Sequence, residues 1–188
     1  MKCATCTNKE CTQGKDCTGK AEEIAAKYRS DILETARTAS FIEATYYMQK
    51  NRLEELIEFA KMMNYKKIGI AFCIGLSAEA ETLQSVLEKH FEVYSVCCKV
   101  CGIPKGDFDL KPVSGNPQEV MCNPIGQATV LNQAGTDLNL IVGLCIGHDI
   151  LFSSASQAPV TTFVVKDRVL AHNPCGAIYS RYHLRKLI

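Results

Sequence analysis

No apolar run in this chain approaches the ~20 residues needed to cross a bilayer, so no membrane-spanning helix is expected. An excess of one charge is missing too. Lys plus Arg total 21 and Asp plus Glu total 20, a formal net charge of +1, so no general field draws nucleic acid or a membrane surface. After Met1-Lys2-Cys3 the chain stays polar. It has no apolar signal segment, and Cys3 lacks the apolar stretch of a lipoprotein signal, so a cytoplasmic protein is expected. No G-x-G-x-x-G follows any predicted strand, which argues against a dinucleotide. The run from Gly14 to Ala21 nearly matches a phosphate-binding loop. It ends in Ala21 where a Ser or Thr should hold magnesium, and no strand precedes it, so it is set aside. No long repeat or low-complexity tract is present.

What the chain does have is cysteine, eleven in 188 residues. In a reducing cytosol disulfides are rare, and such a pattern points to metal binding or catalysis. The count is odd, so complete pairing is impossible. Cysteine is also a small, often buried hydrophobe. That accounts well for Cys97 and Cys101 singly, but poorly for Cys3, Cys6, Cys11 and Cys17, which lie in a polar segment with no core to join.

The hydrophobic pattern divides the chain into a Cys-rich loop over 1–20, a helical segment over 21–64 that packs on the core, and an α/β domain over 65–188. Thr18, with Glu22 and Glu23 downstream, suits a helix start. Ile24, Tyr28, Ile32, Ala36, Ala39, Ile42 and Tyr46 follow a three-to-four spacing, predicting a helix over about 21–49. Leu53, Leu56, Ile57 and Ala60 predict a second helix. Tyr46, Tyr47, Met48, Met62 and Met63 read as packing residues. Strands are predicted at 67–72, 91–98, 138–144 and 160–165. Helices are predicted at 77–90, after Asn123-Pro124, at 148–156, and from Pro174, with a Pro/Gly/Asp-rich loop at 99–119. Strand alternating with helix implies a Rossmann-like parallel sheet of about four strands, covered on both faces.

The N-terminal spacing is C-x2-C-x4-C-x5-C. Four thiolates this close can surround a site without help from the rest of the fold. Structural zinc more often uses two tight pairs. The lack of a second tight pair favours a [4Fe–4S] cluster on Cys3, Cys6, Cys11 and Cys17, with zinc as the alternative. Lys2, Lys9, Lys15 and Lys20 could offset the thiolate charge.

Two short echoes mark a second constellation. Cys73-Ile74-Gly75 and Cys145-Ile146-Gly147 each end a strand and precede a helix start. The carboxyl ends of parallel strands share one edge, where ligands bind, so Cys73, Cys145 and Cys98 belong there together. A helix N-terminus favours the thiolate form. The second echo sets Cys122-Asn123-Pro124-Ile125-Gly126 beside His172-Asn173-Pro174-Cys175-Gly176, with Asn as cap and Pro in the first turn. Cys73, Cys98, Cys122 and Cys145 make a candidate four-thiolate metal site. His148, His172 and Cys175 are further ligand candidates, with Asp149 as orienting partner. His148, Asp149 and His172 are equally candidates for catalysis. Lys99, Asn123, Gln127 and Asn173 are candidates for polarising a bound substrate or cofactor.

On these motifs the chain resembles a family of uncharacterised metal-binding proteins of archaea and anaerobic bacteria, over nearly its whole length. The resemblance implies metal binding and no particular reaction. A weaker likeness is to hybrid-cluster proteins and carbon monoxide dehydrogenases. Their N-terminal segments also pack four cysteines into a short loop, and their Rossmann-like domains hold a complex cluster on Cys and His at strand ends. This chain is far shorter and its spacings differ.

The expectation is therefore an iron–sulfur protein with a redox role, a possible oxidoreductase. Its second metal or substrate site would lie at the sheet edge, served by a redox partner protein or a small-molecule substrate. Two alternatives stand beside it: a non-catalytic zinc module for partner binding, metal sensing or delivery, and a metal-free thiol redox protein using Cys97, Cys98 and Cys101.

Overall fold

The computed structural model describes residues 1–188, which divide into two compact units, 1–49 and 50–188. The first holds two short 3-10 turns, Cys3–Thr5 and Glu10–Gln13, then helices α1 (Ala21–Ala25) and α2 (Ser30–Tyr46). The single helix expected over 21–49 is thus broken. Arg29 is extended, Ser30 turns left-handed at φ 34°, and the Arg29 side chain donates to the carbonyl of Ala26 at 2.7 Å. The periodicity misleads because Ile24, Tyr28 and Ile32 are all exposed, so their spacing records no buried stripe. Tyr47 and Met48 are exposed as well, and do not pack as expected. Nor does Thr18 cap α1. Asp16 does that work, its carboxylate accepting from the backbone N–H groups of Thr18, Gly19 and Ala21 and from the Thr18 hydroxyl.

The second unit is an α/β sandwich. It runs α3 (Arg52–Met62), β1 (Lys67–Phe72), α4 (Ser77–Leu87), β2 (Glu92–Cys97), α5 (Pro124–Ala134), β3 (Leu138–Val142), α6 (His148–Ala155), β4 (Val160–Val164), α7 (Cys175–Tyr179) and α8 (Arg181–Leu184). The four strands form one all-parallel sheet in the order β2-β1-β3-β4. Side chains alternate across it as a two-residue period requires. Ile68, Ile70, Leu138, Leu140 and Val142 join Leu56, Ala60, Leu83 and Leu87 of α3 and α4 in one core. Ala71, Val96 and Ile141 join Ala128, Leu131 and Phe152 of α5 and α6 in the other. With both faces covered, β1 and β3 read as unbroken apolar runs.

Local chemistry fixes the element ends. Asn51 accepts from Leu53 and Glu54 N–H while Glu54 accepts from Asn51 N–H, a complete capping box for α3. The loop over 99–119 is pinned by the Pro104–Val120 bridge and a 2.6 Å Lys105–Glu119 ion pair. No helix is long and apolar enough to cross a membrane.

Gly69 marks the tightest approach in the sheet. A Cβ there would stand 2.0 Å from Asn139 Oδ1 and 3.0 Å from Leu131 Cδ1. Asn139 is fully buried and cannot easily give way, because it accepts from Thr136 Oγ1 at 2.8 Å and donates to Ser156 Oγ at 2.8 Å. Gly69→Ala should therefore lower stability by about 1–3 kcal/mol through overpacking. The measurement is the urea midpoint at constant slope. An unmoved midpoint would show that the Asn139 network yields freely.

Candidate functional site

With strand order β2-β1-β3-β4, the chain reverses direction of travel between β1 and β3, and open parallel sheets bind ligands in the crevice at the carboxyl ends beside such a switch point. Cys73 follows β1 directly and begins the 3-10 turn Ile74–Leu76 that leads into α4, its N–H bonded to Val142 O at 3.1 Å. Cys98 follows β2, its N–H bonded to Phe72 O at 2.9 Å. Cys122 immediately precedes α5, whose first turn is held by Asn123 Oδ1 accepting from Gly126 N–H at 2.8 Å, with Pro124 in the first position. Cys145 lies in the turn before α6, and its carbonyl accepts from His148 and Asp149 N–H.

Cys122 packs against the buried cluster that holds Cys98. The buried Cys98 thiol, 2% exposed, donates to the half-buried Cys122 sulfur. Lys99 Nζ donates to the same sulfur at 3.6 Å and to Val120 O at 2.6 Å. The Cys98 bond, joined by the positive charges of Lys99 and His148, pulls the Cys122 thiol down to about 5, against the opposing effect of burial. Cys98 moves the other way. Its proton is held by the bond to Cys122 and by burial, although Ile74 N–H donates to its sulfur at 3.3 Å.

Basic side chains from the loop after β4 reach the same edge. Arg168 Nη2 donates to Cys145 Sγ at 2.8 Å. That bond raises the Arg168 pKa, and the charges of Cys145, Cys73 and Cys122 add to it. Lys166 Nζ and Cys73 Sγ flank Gly75, 3.4 and 4.0 Å from where a Cβ would sit. Neither Lys166 nor Arg168 is in the candidate set read from the sequence. The available signal was position: Lys166-Asp167-Arg168 begins one residue past β4, whose carboxyl end lies on the same edge.

The remaining candidates take varied places. Gln127 is fully buried. Its Nε2 donates to Phe72 O at 3.1 Å and Val96 O at 2.7 Å, tying β1 to β2, while its Oε1 has no partner. Asn123 caps α5 and donates to Val100 O at 3.3 Å. Asp149 turns back to accept from Ile150 N–H at 2.8 Å. His172 accepts at Nδ1 from Asp167 N–H at 3.1 Å, and both it and Ala171 are left-handed, at φ 63° and 49°. The expected Asn173 cap does not form. Helix α7 begins at Cys175 with no side-chain cap, because the backbone enters it from this left-handed turn rather than from an extended one. Cys175 and Cys101 are exposed.

In the N-terminal unit Cys3, Cys6, Cys11 and Cys17 are all exposed thiols. Lys9 Nζ donates to Cys3 O at 2.5 Å and Lys15 pairs with Glu10, so two of the lysines expected to balance thiolates are engaged elsewhere. Four soft donors in one short loop suit iron–sulfur or zinc chemistry. As the side chains stand, nowhere in the chain are three or more Cys, His, Asp or Glu grouped closely enough to hold an ion.

Comparison with known proteins agrees with an uncharacterised family that reaches into the archaea. An uncharacterized protein of Methanocaldococcus jannaschii is 60% identical over 190 residues, covering 100% of this chain and 98% of that protein. Residues 11–163 match a family described as protein of unknown function, DUF1847. That stretch runs from Cys11 through β4, and with the full-length relative it places the chain in the DUF1847 family.

Proposed function

We propose that this is a cytoplasmic redox protein whose reactive centre is the thiol-lined, basic crevice at the sheet edge, and whose N-terminal four-cysteine loop carries an iron–sulfur cluster. The observation that carries the reading is Cys122. A partly exposed sulfur that accepts from a neighbouring thiol and from an ammonium group is a thiolate at neutral pH, available to attack an electrophile or bind a soft one. Lys99, Lys166 and Arg168 give the crevice the charge to orient an anionic or polarised small substrate. His148, among the basic neighbours that lower the Cys122 pKa, would move a proton there. The N-terminal loop would serve as electron carrier. Its four thiols saturate a cubane and leave no open position for a substrate.

Two measurements test the two halves separately. Protein purified without oxygen should be brown and contain about four iron per chain. Cys6→Ser or Cys11→Ser should remove that iron while the α/β unit stays folded by circular dichroism. Undiminished iron in both variants would overturn the cluster assignment, and a colourless protein with about one zinc would replace it with the zinc module.

For the crevice, the rate of Cys122 alkylation by iodoacetamide should be nearly flat from pH 6.5 to 8. An ordinary thiol, with pKa near ~8.5, gains close to tenfold per pH unit over that range. Below about 5 the Cys122 rate should fall as the sulfur takes up its proton. Lys99→Met and Cys98→Ala each remove a donor and should shift the profile upward. A Cys122 profile that already rises like an ordinary thiol would remove the basis for the crevice reading.

A further inference from the structure

We propose that Cys98 and Cys122 are a dithiol–disulfide couple, with Cys122 the attacking sulfur and Cys98 the resolving one. The inference rests on the crevice being a thiol redox site. It does not depend on the iron–sulfur assignment, and it names the sulfur pair and the class of reagent.

Their approach is enforced by the backbone. Asn123 N–H donates to Cys98 O at 2.8 Å, and Asn123 Nδ2 donates to Val100 O at 3.3 Å. Lys99 Nζ reaches across to Val120 O at 2.6 Å, Met121 N–H donates to Ile103 O at 2.8 Å, and Pro104 bridges Val120. Residues 98–104 and 120–123 are thereby tied together at both ends, with Cys122 one residue from the Asn123 N–H that bonds to Cys98 O. A disulfide between them needs Cα atoms roughly 4.4–6.8 Å apart. Cys122 packs against the cluster that holds Cys98, on the same side of the sheet. Cys73 is the rival partner for Cys98, since Cys98 N–H donates to Phe72 O at 2.9 Å and Ile74 N–H donates to Cys98 Sγ at 3.3 Å, but Cys73 is itself buried, whereas Cys122 is half-buried. Cys145 is bonded to Arg168.

Exposure sets the order of events. Cys122 is half-buried and reachable from the crevice, whereas Cys98 is 2% exposed and reachable only through Cys122. The co-reactant is a low-molecular-weight disulfide. Cys122 thiolate attacks one of its sulfurs, the reagent S–S bond breaks, and one half leaves as a thiolate that takes a proton from solvent. The other half remains on Cys122 as a mixed disulfide. Cys98 then loses its proton to the second departing half and attacks Cys122 Sγ, breaking the mixed disulfide. One thiolate, one thiol, one disulfide and one solvent proton become a protein disulfide and two small thiols. The protein loses two electrons and the reagent gains them.

The test uses the whole chain, held without oxygen in buffers of oxidised and reduced glutathione, blocked with N-ethylmaleimide, and mapped by peptide mass spectrometry without reduction. The expected product is a Cys98–Cys122 linked peptide that disappears again in excess reduced glutathione. In Cys98→Ser, glutathione should remain on Cys122, and in Cys122→Ser neither linkage nor adduct should form at Cys98. Wild-type Cys122 that stops at the glutathione adduct, or pairs with another cysteine, overturns this couple but leaves the crevice a thiol site. A Cys122 inert to glutathione disulfide and iodoacetamide alike overturns both readings. The wild-type map needs no variant, so poor folding of Cys98→Ser cannot obscure the answer.

Discussion

A parallel strand covered on both faces must end somewhere, and where it ends its last backbone groups still need partners. That requirement shapes the carboxyl edge of this sheet. The carbonyls of Phe72 and Val96 are met by the buried amide of Gln127, and Phe72 O also receives Cys98 N–H. To place Gln127 there, α5 must start close above the ends of β1 and β2, which brings Cys122 and Asn123 against Cys98. That approach thus follows from how the sheet satisfies its own hydrogen bonds. Two cysteines stand at the point where that necessity brings the chain together.

The electrostatics follow from the same geometry. One sulfur is buried behind the other, so the proton they share stays with the inner one and charge collects on the outer one. Lys99 is the residue after Cys98, and the turn that delivers Cys98 also delivers its ammonium to Cys122. At the same edge, Arg168 supports Cys145 in the same manner from the loop after β4. Cations thus attend thiols at two points of the edge, Lys99 at Cys122 and Arg168 at Cys145.

Much of the α/β unit was legible in the sequence, because β1 and β3 are short unbroken apolar runs bounded by polar turns, a pattern that buried parallel strands impose. The paired Cys-Ile-Gly contexts pointed to one edge for the same reason: strand ends in a parallel sheet have nowhere else to go. Contacts made across the 99–121 loop were not legible, since nothing local in Cys98 or Cys122 records that Asn123 will bond to the Cys98 carbonyl. Arg168 escaped notice because basic residues in loops are common and carry no periodicity. The first unit was read less well. The spacing of Ile24, Tyr28 and Ile32 mimics a buried stripe although these side chains are exposed. His172-Asn173-Pro174 shares its letters with the α5 cap but not its backbone, and the left-handed turn at Ala171 and His172 decides the outcome.

That turn gives the crevice two walls of unequal stiffness. The α5 wall is held by a capped helix start, a proline and an interstrand amide clamp, all in relaxed conformations. The 166–173 wall keeps two consecutive non-glycine residues left-handed, at roughly 1 kcal/mol or more each. Part of what holds it is the single imidazole bond to Asp167 N–H. Cys101, left-handed at φ 70° in the turn after β2, stores strain beyond the other wall as well, so backbone that would ease by moving lies on both rims, and the capped start of α5 is the fixed point between them.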